Sequence, residues 1–191
     1  MDRVNAMVMI LQKPLIALCL GALAISCSAP IATRVASEGR APEAQAATFV
    51  LVNAPGDESA EETSAHNMVI SRLVARGWRR DTDNANYSLT ISLSERPASV
   101  GVTVQSVSGN QNKVISAPKK NKPLQSCDDV EQRLSIAIVR LSDGARVFRG
   151  NASEYHCKAR LNETLPYLVD AALSGIDNPN GNKIIHRTGR E

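Results

Sequence analysis

Hydrophobic and polar residues alternate most regularly at Tyr87, Leu89, Ile91 and Leu93, with Ser88, Thr90, Ser92 and Ser94 between them. That period of two predicts a half-buried strand with one core face and one hydroxyl-bearing face. After residues 95–99, Val100, Val102 and Val104 alternate with Gly101, Thr103 and Gln105, which predicts the second arm of an antiparallel hairpin. The β-prone run 48–52 stops at the turn signal Asn53-Ala-Pro-Gly56 and predicts an earlier strand. Met68, Val69, Ile70, Leu73 and Val74 then recur at helical spacing behind the acidic stretch 57–62, whose charge suits a helix N-terminus. Gly77 supplies the stop, and Trp78 is expected to pack back on the helix as core. Residues 134–141 and 146–153 flank Ser142-Asp143-Gly144-Ala145, and Asp-Gly marks a tight hairpin turn. Asn162 makes a good N-cap for a last helix with Pro166 in its first turn. Its stripe is Leu165, Leu168, Val169, Ala172 and Leu173, and Gly175 ends it.

The expected order is strand, helix, strand, strand, basic loop, strand, strand, helix. It predicts an α+β fold in which one largely antiparallel sheet of about five strands carries two helices on one face. Residues 48–176 form the single domain. Residues 27–47, rich in Ala, Pro, Glu and Ser, read as a flexible tether, and residues 177–191 as a loose basic tail.

The first thirty residues have a different character. Arg3 and Lys13 precede an apolar stretch at 15–25 that is too short for a comfortable membrane helix, which is the layout of an export signal. It ends in Leu23-Ala24-Ile25-Ser26-Cys27, which resembles the lipobox of bacterial lipoproteins, with residues 1–26 removed and Cys27 lipidated. Lipoboxes mostly carry Leu three residues before the Cys, where this chain has Ala24. Ordinary secretory cleavage after Ala24, leaving Cys27 a free thiol, and an uncleaved anchor are the alternatives. The resemblance implies several acyl chains on Cys27, a lasting anchor. Ser28 is compatible with transfer to the periplasmic face of the outer membrane. Cys19 reads as a buried residue of the signal.

Counting outward from the Asp143-Gly144 turn places Cys157 opposite Val130, three residues from Cys127. In an oxidising periplasm these remaining cysteines are expected to form a disulfide.

The helix ending in Leu73-Val-Ala-Arg-Gly-Trp78, the strand start Asn84-Ala-Asn-Tyr-Ser-Leu-Thr-Ile-Ser92, the later hairpin with Gly150-Asn-Ala-Ser153 and the closing helix extend the resemblance. Together they are similar to small proteobacterial outer-membrane lipoproteins grouped only as a domain of unknown function, over residues 48–175. Asn86 stands where that family often has Asp. The resemblance implies an envelope protein and brings no catalytic or binding residues with it.

Charge and chemistry narrow the reading. With 22 basic and 19 acidic residues, the net charge of +3 marks no nucleic-acid binder, and two Phe, three Tyr and one Trp offer few platforms for bases. Lys113, Lys119, Lys120 and Lys122 lie in a polar segment at 106–124, a mobile loop or short edge ribbon that could touch lipid phosphates or cell-wall acids. Ser116-Ala-Pro-Lys119 matches S-x-x-K only by chance, because Pro118 opposes the helix that pattern needs. His66, His156 and His186 are scattered, with no zinc motif, and His156 reads as a surface histidine. Asp128, Asp129 and Glu131, like Asp81 and Asp83, read as charged connections. No phosphate-binding loop, dinucleotide fingerprint or GxSxG occurs. The expectation is a non-enzymatic envelope lipoprotein without cofactor or metal, partnered by the membrane and by an unidentified envelope protein or complex. An accessory lipoprotein of a lipid or surface-polymer export machine and a small cell-wall or lipid hydrolase are the alternatives.

Overall fold

The structure, a computed structural model, describes residues 30–42, 47–52, 59–105, 112–116, 118–119, 126–177 and 181–189. Its strands are β1 (Ile31–Gly39), β2 (Thr48–Leu51), β3 (Arg79–Arg80), β4 (Tyr87–Pro97), β5 (Val102–Gln105), β6 (Asn112–Ser116), β7 (Val130–Arg140), β8 (Arg146–His156) and β9 (Gly181–Arg187). The helices are α1 (Ala60–Ala75) and α2 (Leu161–Asp177).

Seven strands form one sheet in the order β3-β2-β4-β7-β8-β1-β9, and β5 and β6 form a separate two-stranded ribbon. β2 runs parallel to both β3 and β4, while the remaining neighbours are antiparallel. The sheet is therefore mixed and seven-stranded, which corrects the expected, largely antiparallel sheet of about five strands. Two of the additional strands come from segments read as unstructured. β1 occupies part of the supposed tether, and β9 lies in the supposed tail.

Each has a physical reason for escaping notice. In β1, Ile31, Thr33, Val35 and Ser37 are buried at alternate positions, but two of the four are hydroxyl residues and the intervening ones are Ala, Arg and Ala. The period is intact and the polarity contrast is weak. β9 is an edge strand whose residues 181–186 are all exposed, so no burial pattern was imposed on it. The expected hairpin of β4 with β5 is also corrected. β4 pairs with β2 and β7, and β5 pairs with β6.

Both helices cover the same face. Leu89, Ile91, Leu134, Ile136, Ile138, Phe148, Ala152 and Val35 meet Val69 and Leu73 of α1 and Leu165, Leu168, Val169, Ala172 and Leu173 of α2 in one core. A Cβ at Gly150 of β8 would strike the carbonyl oxygen of Ala172 and the Phe148 ring, so only glycine lets α2 approach this closely. Trp78 is buried as expected, edge-on to Phe49 at 6.3 Å and beside Tyr87 at 6.1 Å. α1 opens with a capping box, in which the Ser59 hydroxyl accepts from the Glu62 amide at 3.1 Å and the Glu62 carboxylate accepts from the Ser59 amide at 2.9 Å. α2 starts at Leu161 and runs past Gly175, two residues beyond the expected stop.

The hairpin of β7 and β8 forms around Asp143-Gly144, with Gly144 at φ 70°. The turn is wider than the simple count assumes, with Val139 opposite Arg146, and after an irregularity between Ile138 and Val139 the register sets Val130 opposite His156, one residue from that count. Cys127 and Cys157 are joined as a disulfide with their Cα atoms 5.5 Å apart.

Candidate functional site

β1 and β7 begin, and β4, β8 and β9 end, at one pole of the sheet. There the alternation that places Phe148 and Ala152 in the core continues into Glu154 and His156, at 0% and 1% exposure. Burial alone would push the Glu154 pKa up. Hydrogen bonds from His156, Arg187 and Thr33, together with the Arg187 charge, overcome that effect and hold it at about 2. Arg187 grips the carboxylate at two points, Nη2 to Oε2 at 2.7 Å and Nε to Oε1 at 3.2 Å. The Thr33 hydroxyl donates to Oε1. The Arg187 guanidinium also lies over the Tyr167 ring at 3.9 Å. One buried carboxylate thus ties β1, β8 and β9 together, with α2 alongside.

His156 Nε2 stands 2.7 Å from Glu154 Oε2. Its other ring nitrogen, Nδ1, is buried and has no hydrogen-bond partner among the described residues. His156 lines an open cleft of about 610 Å³ that Ser59 and Glu62 of the α1 cap, Glu95, Gln132 and residues 157–162 also border. Gln132, 1% exposed, donates to Glu95 Oε2 at 3.1 Å and to the Ala159 carbonyl at 3.2 Å, and accepts from the Thr164 hydroxyl at 2.5 Å. It fixes the start of α2 against β7.

On the helix-free face of the same pole, Glu131, 1% exposed, is bridged by Arg96 and, at 2.7 Å, by Arg133. Its burial would raise its pKa, but the two guanidinium groups lower it below the usual carboxylate value. Lys119 binds Asp129 at 2.6 Å and sits 4.7 Å from the Tyr155 ring centroid, which Arg34 approaches to 4.9 Å. Further along this face the β4 residues Thr90, Ser92 and Ser94 are exposed, as their alternation predicted.

Several sequence expectations are thereby relocated. Cys27, Lys120 and Lys122 lie outside the described residues, and Lys113 belongs to β6. Lys119 is ion-paired with Asp129 and only half-buried, so it is part of the fold's own charge network. Asp129 and Glu131 are not solvated connections but buried partners of cations. His156 is not a surface histidine. Counting by twos from Phe148 would have placed both Glu154 and His156 on the core face, but a carboxylate there reads as a strand end until its partners, 121 and 33 residues away in Thr33 and Arg187, are known.

Among the described residues, the arrangement pairs no nucleophile with a base. The ring of His156 has its hydrogen bond with Glu154, no hydroxyl or thiol donates to it among the described residues, and the adjacent Cys157 is locked in the disulfide. No cluster of three or more metal-ligating side chains occurs among the described residues, and no described helix is long and apolar enough to cross a membrane.

No family model matches the chain, and no curated protein matches it. The fold does resemble solved structures. A PDZ domain protein from Parabacteroides distasonis superposes with a TM-score of 0.55 at 10% identity, over 85% of this chain and 40% of that one. This chain therefore spans less than half the length of that structure, and the likeness concerns the fold alone. PelC, a dodecamer from Paraburkholderia phytofirmans, gives 0.44 at 16% identity, over 78% of this chain and 99% of that one. A minor lipoprotein from Acinetobacter baumannii gives 0.32 at 15%, over 68% and 84%. The resemblance to a family of small lipoproteins drawn from the sequence has no matching family model behind it.

Proposed function

We propose that this chain is an exported envelope lipoprotein, held at the periplasmic face of the outer membrane by acyl chains on Cys27. Its folded domain works by binding or supporting another envelope component and carries out no chemistry of its own. The observation that carries the reading is the export signal ending in Leu23-Ala24-Ile25-Ser26-Cys27. The Cys127–Cys157 disulfide supports it, because such a bond belongs to an oxidising compartment. The binding role is supported by the cleft at the α2 N-terminus, which polar side chains border and whose lining includes His156, with its buried Nδ1 unbonded among the described residues.

The test is the mass of the mature amino terminus after expression of the whole gene in a Gram-negative host, with and without an inhibitor of the lipoprotein signal peptidase. A triacylated Cys27 whose maturation the inhibitor blocks is the expected result. An unmodified terminus beginning near Ile25 refutes the anchor and leaves a freely diffusing periplasmic protein.

A further inference from the structure

Two observations meet at one edge of the sheet. β9 is the outermost strand there, hydrogen-bonded to β1 and, among the described residues, to no other strand. It exposes two large aliphatic side chains, Ile184 at 58% and Ile185 at 38%, beside Lys183. Neighbouring residues of a strand point to opposite faces, so Ile184 and Ile185 are covered together only by something that meets the sheet edge-on. The second observation is where the strand bonded to β9 begins. β1 starts at Ile31, four residues after Cys27. A chain spans at most about 3.6 Å per residue, so Ile31 stands within about 14 Å of Cys27. The eleven residues of β8 extend roughly 35 Å, so the domain cannot swing clear of its anchor as it would on a twenty-residue tether.

We propose that the β9 edge of the sheet rests on the headgroup layer of the bilayer that Cys27 enters, with Ile184 and Ile185 in the interfacial layer and Lys183 against lipid phosphates. This rests on the reading that Cys27 is acylated. Aliphatic residues beside a cation are the chemistry that an interfacial surface uses. The headgroup layer also supplies polar partners for the outward N–H and C=O groups of an edge strand that would otherwise invite pairing with another chain. Arg187 takes no part, since Glu154 and Tyr167 hold it.

The test uses the full-length, host-processed protein reconstituted in vesicles of phosphatidylethanolamine and phosphatidylglycerol. One sample carries a fluorophore through Ile184→Cys and another through Ser142→Cys in the far β7–β8 turn, both exposed positions whose replacement leaves the core intact. Quenching by headgroup spin-labelled lipid is measured, with the intact mass of each sample. An acylated Cys27 with position 184 quenched several-fold more than position 142 is the expected result. Equal quenching on an acylated protein overturns the inference alone. Shielding of position 184 that persists in detergent and follows protein concentration also overturns it, since it assigns the edge to a second copy. An unacylated Cys27 overturns the inference together with the anchor.

Discussion

Glu154 has lost its water, and three donors replace it. The sign of its pH effect follows from its depressed pKa. The folded carboxyl titrates at about 2 against an ordinary value of 4.5, so its stabilisation is fully present above pH 4.5 and is lost as pH falls toward 2. A shift of that size corresponds to about 3 kcal/mol. Urea midpoints measured from pH 7 down to pH 2 are expected to fall through that window, and those of Glu154→Gln to fall less. At neutral pH the variant is expected to lose about 3 kcal/mol, because the Arg187 guanidinium keeps its charge beside a neutral amide. An unchanged pH profile in the variant would place the acid sensitivity elsewhere, with Glu131 the next carboxylate to replace. At this scale the sequence was legible for Trp78 and for the Cys127–Cys157 pair, whose environments follow from neighbours in the chain. It was not legible for Glu154, whose burial depends on partners that only the finished sheet assembles.

Among the elements, those legible in the sequence had strong internal contrast. β4 alternates aliphatic with serine and threonine, α1 has acid at its start and glycine after its end, and α2 carries a continuous apolar stripe. β1 and β9 lack that contrast, one because hydroxyls fill buried positions and the other because it buries almost nothing. Three variants test what holds the elements. Ser59→Ala removes half of the α1 capping box and is expected to cost about 1 kcal/mol in a chemical denaturation experiment. Gly150→Ala puts a methyl group against the Ala172 carbonyl and must push α2 off β8. An expected loss of about 2 kcal/mol or more, with the near-ultraviolet signal of the core altered, distinguishes it from a substitution that relaxes freely. Replacing both disulfide cysteines by serine opens a link between residues 30 apart and is expected to cost about 3 kcal/mol, read as a lower unfolding midpoint than that of the oxidised parent.

For the whole molecule, the sheet ends at β3, only two residues long, and at β9, a longer strand with an exposed outer side. The short edge offers little to pair with. Removing residues 181–191 strips β9 from β1 and Arg187 from Glu154, so the truncated protein is expected to unfold at lower denaturant and to self-associate in sedimentation velocity. A truncated chain with the parent's stability and sedimentation would show β9 to be dispensable.

The pairing of β1 with β8 joins Arg34 to Tyr155 across 121 residues of chain. For a polypeptide that crosses a membrane amino end first, β1 is among the earliest segments to emerge and its partner among the last. At ribosomal rates of about 5–20 residues per second, that interval is on the order of ten seconds. Throughout it β1 waits as an unpaired strand, and α2 cannot dock until β8 arrives. For such a polypeptide, completion of this fold is timed by the end of its transit, and a stalled or truncated product would carry β1 without the strand that pairs beside it.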